Sequence, residues 1–128
     1  MGYVKHSAAE ATASHPGPTY AESACWALAD AYLAHREARY GTPEYAPALE
    51  LLEHWAKVCA AYRTIENYGG SKTRGDIAIA LVESEKRTSL RFSGLCSAEE
   101  HAVHMAEYIR LHHVYTAITA IEKFEGRA

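Results

Sequence analysis

Histidines cluster near the carboxyl end of this 128-residue chain, where four of its eight histidines fall between positions 101 and 113. Neutral imidazole is the commonest metal ligand in proteins, so a transition-metal site is one interpretation of this cluster. His101 and His104 lie one helical turn apart and can reach the same ion. Two nitrogens do not complete a site. The remaining ligands would have to come from Glu100, Glu107 or His54.

The spacing of the other histidines favours a different interpretation. His112 follows His104 by eight residues, which is about 12 Å along a helix axis at about 1.5 Å per residue. No Glu in the chain has a His three residues later, so the Glu-x-x-His pairs of di-iron helical bundles are missing. The alternative is a set of interfacial histidines whose nitrogens bond to backbone or tyrosine groups. The sequence favours this alternative, and the second hypothesis is a domain that binds a metal or a small ligand through the histidines of this helix, with His101 and His104 as the metal ligands.

Cationic residues form a second candidate site, between positions 72 and 91. This segment has a net charge of +2, whereas the whole chain has a charge of −3. Lys86 and Arg87 would contact the phosphates of a nucleic acid or an acidic protein surface if they stood at the tip of a hairpin. The aromatic residues that usually alternate with such cations are absent apart from Phe92. A nucleic-acid-associated regulator is therefore a further alternative.

Two antiparallel helices are predicted for the first half of the chain. Thr19 and Glu22 have the spacing of a capping box, which predicts a helix over about 20–40. A second helix, about 43–68, follows after so short a link that the two must be antiparallel neighbours. Residues 1–18 are small and polar and end in a Pro-Gly-Pro sequence, which predicts a flexible arm. Residues 19–128 are predicted to form a single helical domain.

Residues 76–93 fit two structures. Two short apolar runs separated by a polar connection favour a small β-hairpin. The competing structure is a third helix that begins at Asp76, because the same apolar residues also recur at helical spacing.

The last predicted helix begins after Ser97, whose spacing to Glu100 is again that of a capping box, and it continues to about Phe124. It has apolar residues on two opposite sides and must be enclosed by its own domain or by a second copy of the chain. We therefore predict self-association, as a homodimer. One side carries Ala98, Ala102, Met105, Ile109, Thr116 and Ala120, and the other carries Val103, Leu111, Val114, Ile118 and Ile121.

Composition agrees with a folded protein that is neither strongly basic nor disordered, since 48% of the residues are hydrophobic and 23% are charged. The three cysteines form no CxxC pair, and no signal-peptide or membrane segment is apparent, which predicts a soluble cytoplasmic protein with reduced thiols.

No nucleophile–base pair, carboxylate pair or set of four metal ligands can be assembled, which favours a non-catalytic function. The predicted function is that of a small interaction or regulatory protein, an adaptor or stoichiometric inhibitor, with Tyr108 and Tyr115 among its contact residues.

Overall fold

In the computed structural model, which describes residues 6–70 and 72–127, the regular elements of the described chain are all helical. The prediction of a mainly α fold is confirmed. A 3-10 turn, Ser89–Arg91, lies between the fourth and fifth α-helices. The α-helices are α1 (Ala8–Ser14), α2 (Tyr20–Glu37), α3 (Tyr45–Tyr68), α4 (Arg74–Thr88) and α5 (Ala98–Glu125).

Polar side chains determine where the helices begin. The Thr19 hydroxyl accepts a hydrogen bond of 3.2 Å from the backbone N–H of Glu22. Ser97 and Glu100 cap each other, because the Ser97 N–H donates to the Glu100 carboxylate (3.2 Å) and the Glu100 N–H donates to the Ser97 hydroxyl (3.1 Å). Both helix starts that the capping-box spacing predicted are confirmed.

The link between α2 and α3 is short and tightly turned. α2 ends at Glu37, earlier than predicted, because Ala38 takes extended dihedral angles. Gly41 has a φ of 89°, which glycine adopts without strain, and it turns the chain within the link rather than capping the helix. Across the link, His35 of α2 and Tyr45 of α3 have ring centroids 5.2 Å apart, and further from the link Cys25 of α2 lies beside Cys59 of α3. The predicted antiparallel pairing of the two helices is confirmed.

The preferred hairpin over residues 76–93 is wrong. Arg74–Thr88 forms α4, and Ser89–Arg91 forms the 3-10 turn. The Thr73 hydroxyl accepts from the backbone N–H of Asp76 (3.1 Å) and caps the start of the helix. The competing prediction of a helix in this segment is confirmed, although Thr73 rather than Asp76 is its cap.

Burial explains why this segment is helical despite its β-favouring residues. Ile77 and Ser84 are buried, and Ala80 and Leu81 are half-buried against residues of α5. These positions share one side of a helix, whereas a strand would send alternate residues to opposite faces. Tertiary packing therefore outweighs the local preference of the Ile and Val residues.

The described residues divide into two compact units, a first unit of residues 6–63 with 120–127 and a second unit of residues 64–119. The first unit has a core in which small residues of α2 lie against larger residues of α3. Phe124, near the end of α5, completes this core. The buried members are Ala8, Ala11, Ala24, Ala27, Ala31, Trp55, Val58, Cys59 and Phe124.

A short helix occupies part of the segment that the sequence assigned to a flexible arm. Ala8–Ser14 forms α1, which packs on α2 and buries Ala8 and Ala11. His15, at the end of α1, pairs through Nε2 with the Asp30 carboxylate on α2. The division of the chain into an arm over 1–18 and one domain over 19–128 stays a prediction.

The second unit has its own core. Ile77 of α4 and Leu111, Val114 and Ile118 of α5 are buried together. None of the helices in residues 6–70 and 72–127 is both long enough and apolar enough to cross a membrane.

Candidate functional site

One side of α5 is exposed within the second unit, although much of it is apolar. The buried Leu111, Val114 and Ile118 lie on the neighbouring side of the helix, further along α5. Val103 is 67% exposed and Ile109 is 50% exposed. Val103 is therefore not buried with the core residues, although it lies on the side of the helix where the sequence pattern had placed it. We call the following exposed set the α5 outer face: Glu99, Ala102, Val103, Ala106, Ile109, Arg110 and His113.

The α5 outer face is symmetric in sequence about Ala106. At 100° per residue, Val103 and Ile109 lie about 60° to either side of Ala106 around the helix axis. Each also lies three residues from Ala106 along the chain. Reversing the direction of the helix therefore exchanges one apolar residue for the other and leaves the small Ala106 at the centre.

Charge is distributed unevenly along the same face. Glu99 lies at its amino-terminal end, and Arg110 and His113 lie towards its carboxyl-terminal end. The two ends therefore differ in charge, since Glu99 is acidic and Arg110 is basic.

The two histidines predicted as metal ligands lie on the first turns of α5. His101 and His104 are both half-buried, and Nδ1 of His101 is buried without a hydrogen-bond partner in the described structure. Among residues 6–70 and 72–127, no cluster of three or more His, Cys, Asp or Glu side chains could hold a metal ion. Metal binding by this pair stays a prediction.

The two tyrosines predicted as contact residues have different surroundings. Tyr108 is half-buried, and its hydroxyl lies 3.0 Å from Nε2 of His112, with the ring centroids 4.7 Å apart. A histidine bonded to tyrosine is what the interfacial interpretation of the cluster expected. Tyr115 is half-buried against the core of the second unit. Tyr115 therefore packs against its own unit, and its role in binding a partner stays a prediction.

Lys86 and Arg87 are exposed in the last turn of α4, and not at the tip of a hairpin. Cations are favourable at this position because the carboxyl end of a helix carries partial negative charge. Their contact with nucleic acid stays a prediction, without the hairpin geometry on which it depended.

A histidine–tryptophan cluster in the first unit was not predicted from the sequence. The His6 and His54 ring centroids are 4.2 Å apart, and the His54 and Trp55 rings meet at 73° with their centroids 4.7 Å apart. Burial, followed by the charges of His6 and Lys57, lowers the pKa of His54 to about 4. His54 is therefore neutral at pH 7.

We expect the stability of the first unit to fall as the pH is lowered from about 6.5 to about 4, because the unfolded chain takes up a proton on His54 in this range and the folded chain does not. The side chain is only half-buried, so the loss should be about 1–2 kcal/mol rather than the value of the full shift. Urea unfolding at pH 7 and pH 4.5 measures it. His54→Gln should remove this part of the loss, and an unchanged loss in that variant would contradict the assignment.

Two thiols of the first unit also approach each other. Cys25 of α2 is exposed, and Cys59 of α3 is buried. Burial, followed by the charge of Cys25 and a hydrogen bond to it, raises the pKa of Cys59 to about 12. Both cysteines stand at helical spacing from apolar residues of their own helices, which was the signal for this contact, but periodicity does not show which turns face each other.

Comparisons with protein-family models, with curated proteins and with solved structures found no match to this chain.

Proposed function

We propose that this chain is a small cytoplasmic interaction protein, an adaptor or stoichiometric inhibitor, which acts through helical surfaces and forms a homodimer. The exposed α5 outer face is the observation that carries the proposal. Its two large apolar residues are exposed in the single chain, Val103 to 67% and Ile109 to 50%. The three free cysteines fit a reducing compartment.

The symmetry of the α5 outer face favours a second copy of the chain as the occupant. When two α5 helices meet in antiparallel fashion about a twofold axis at Ala106, Val103 of each copy faces Ile109 of the other. Ala106 lies on the axis, where its small side chain lets the helices approach closely. The same patch then contributes to both sides of the interface, as a closed dimer requires.

Charge selects the antiparallel arrangement over the parallel one. In the antiparallel pair, Glu99 of one copy faces His113 of the other. In a parallel pair, Glu99 faces Glu99 and Arg110 faces Arg110, and like charges repel. The antiparallel dimer therefore brings acidic and basic ends together at both edges of the interface.

Other exposed apolar residues remain for a partner protein. α2 exposes Trp26, Tyr32 and Leu33, which lie on its side away from the core of the first unit. Aromatic residues are enriched at protein interfaces. We assign the partner, a protein with an apolar helical surface, to this side of α2.

Light scattering over a concentration series tests the dimer. Wild-type protein should approach a mass of about 28 kDa, twice the chain mass of 14.1 kDa. Ala106→Glu places two carboxylates together on the twofold axis and should weaken association by about 100-fold. Ala106 is exposed in the single chain, so the helix content measured by circular dichroism should not change. A wild-type protein that stays at 14.1 kDa at the highest concentration would rule out self-association.

A matched control and a charge exchange locate the interface. Ala56→Glu makes the same change at an exposed alanine of α3 and should leave the dimer intact. Glu99→Lys and His113→Glu should each weaken the dimer by about two- to fivefold, and the double variant should restore it. Failure of the double variant to restore association would contradict the antiparallel register.

A further inference from the structure

Two sulfur atoms meet in the first unit where α2 packs on α3. Cys25 and Cys59 are both free thiols, and Cys25 is within hydrogen-bonding reach of Cys59. They lie on different helices, 34 positions apart in the sequence. A bond between them would therefore join two elements of the core.

The antiparallel register of α2 and α3 independently places the two cysteines at the same level. Ala31 of α2 and Leu51 of α3 line a common groove. From Ala31 back to Cys25, α2 covers about 9 Å, and from Leu51 on to Cys59, α3 covers about 12 Å, at about 1.5 Å per residue. The two helices run in opposite directions, so these similar steps leave Cys25 and Cys59 at nearly the same level along the pair.

Only one of the two thiols is open to solvent. Cys25 lines an open groove of about 350 Å³ together with His15, Trp26 and Asp30. Cys59 is buried in the core of the first unit. A small oxidant can therefore reach Cys25 directly, whereas Cys59 can react only with a group that is already beside it.

We propose that Cys25 and Cys59 form a peroxide-sensitive pair, which converts to an intramolecular disulfide that bonds α2 to α3. The Cys25 thiol first releases its proton, and the thiolate attacks one oxygen of the peroxide. The O–O bond breaks, hydroxide leaves, and Cys25 becomes a sulfenic acid. Cys59 then loses its proton, its sulfur attacks the Cys25 sulfur, and the S–O bond breaks to release a second hydroxide. The two protons and two hydroxides form water, so one hydrogen peroxide and two thiols give one disulfide and two waters.

The surroundings of the pair assign these roles. Cys25 is exposed and Cys59 is buried, so peroxide meets Cys25 first. Burial, followed by the charge of Cys25 and the bond to it, also raises the pKa of Cys59 to about 12, which disfavours its thiolate. Cys59 is the resolving thiol, already held within reach. The disulfide lies in the first unit, whereas the α5 outer face lies in the second, so this inference does not depend on the proposed dimer.

The experiment uses the full chain with Cys96→Ser, which leaves only the two thiols of interest. Stoichiometric hydrogen peroxide should abolish both titratable thiols and lower the chain mass by two hydrogens. Proteolysis without reductant should release a peptide pair joined through Cys25 and Cys59. The oxidised protein should have a higher Tm, because the bond constrains the unfolded chain, and dithiothreitol should reverse the change.

Single-thiol variants assign each sulfur its role. In Cys59→Ala with Cys96→Ser, dimedone should trap a sulfenic acid on Cys25, which no thiol resolves. In Cys25→Ser with Cys96→Ser, loss of the Cys59 thiol should be slower by about tenfold or more, because that residue is buried. Cys25 is exposed, so this second variant keeps the test valid if Cys59→Ala does not fold. Two results would overturn the proposal: oxidation of Cys25 to sulfinic acid while Cys59 stays a thiol, and disulfides that join only separate chains.

Discussion

Phe124→Ala should destabilise the first unit by about 3–5 kcal/mol, because it removes a buried aromatic ring and leaves a cavity that the neighbouring rings cannot fill. Phe124 is 4% exposed. The rings of Trp55 and Tyr62 are nearly perpendicular to it, with centroids 5.7 Å and 6.2 Å away. The Tyr62 hydroxyl donates a hydrogen bond to the Glu125 carboxylate, which holds that ring in place.

Urea unfolding, followed by tryptophan fluorescence, measures this loss, since Trp55 lies against Phe124. Phe124→Leu is the matched control, because it keeps most of the apolar volume and should cost about 1–2 kcal/mol. A loss below about 1 kcal/mol in Phe124→Ala would show that the end of α5 does not belong to this core.

The sequence correctly predicts the helices whose first turns are capped by residues close to them in the sequence. Thr19 with Glu22 and Ser97 with Glu100 have the spacing of capping boxes, and their hydroxyls accept the expected hydrogen bonds. Such contacts span three residues, so local sequence is sufficient to predict them. The antiparallel pairing of α2 and α3 follows in the same way from the short link between them.

The segment containing α4 was harder to predict because its structure depends on distant residues. Ile77 is buried against Leu111 and Val114, more than thirty positions further along the chain. A run of Ile, Ala, Leu and Val has no period that separates a short strand from a buried helix. Packing against α5, and against Ile65 and Tyr68 of α3, decides between them.

The candidate sites show the same division between local and distant information. The placement of His101 and His104 one turn apart on α5 follows from the sequence, because both lie on one helix. The contact between Cys25 and Cys59 does not, because it depends on how α2 is rotated against α3. The small residues Ala24, Ala27 and Ala31 decide that rotation, since they form the side of α2 that lies in the core.

Leu111→Ala should destabilise the second unit by about 2–5 kcal/mol. Leu111 is 1% exposed and lies in the core with Ile77, Val114 and Ile118, so truncation leaves a cavity lined by branched side chains. Such side chains have restricted rotamers and fill a cavity poorly. Amide hydrogen exchange of α4 and of residues 104–118 of α5 measures the loss segment by segment.

Val82→Ala provides the matched control for Leu111→Ala, because Val82 lies on α4 of the same unit and is 53% exposed. This variant should change stability by less than about 0.5 kcal/mol. Both proteins should be compared at a concentration well below that at which the wild-type mass begins to rise, so that association adds nothing to the measured stability. Equal protection of α4 amides in Leu111→Ala and in wild type would show that α4 does not depend on α5 for its helical state. Burial against α5 would then not be the reason why residues 76–93 form a helix instead of a hairpin.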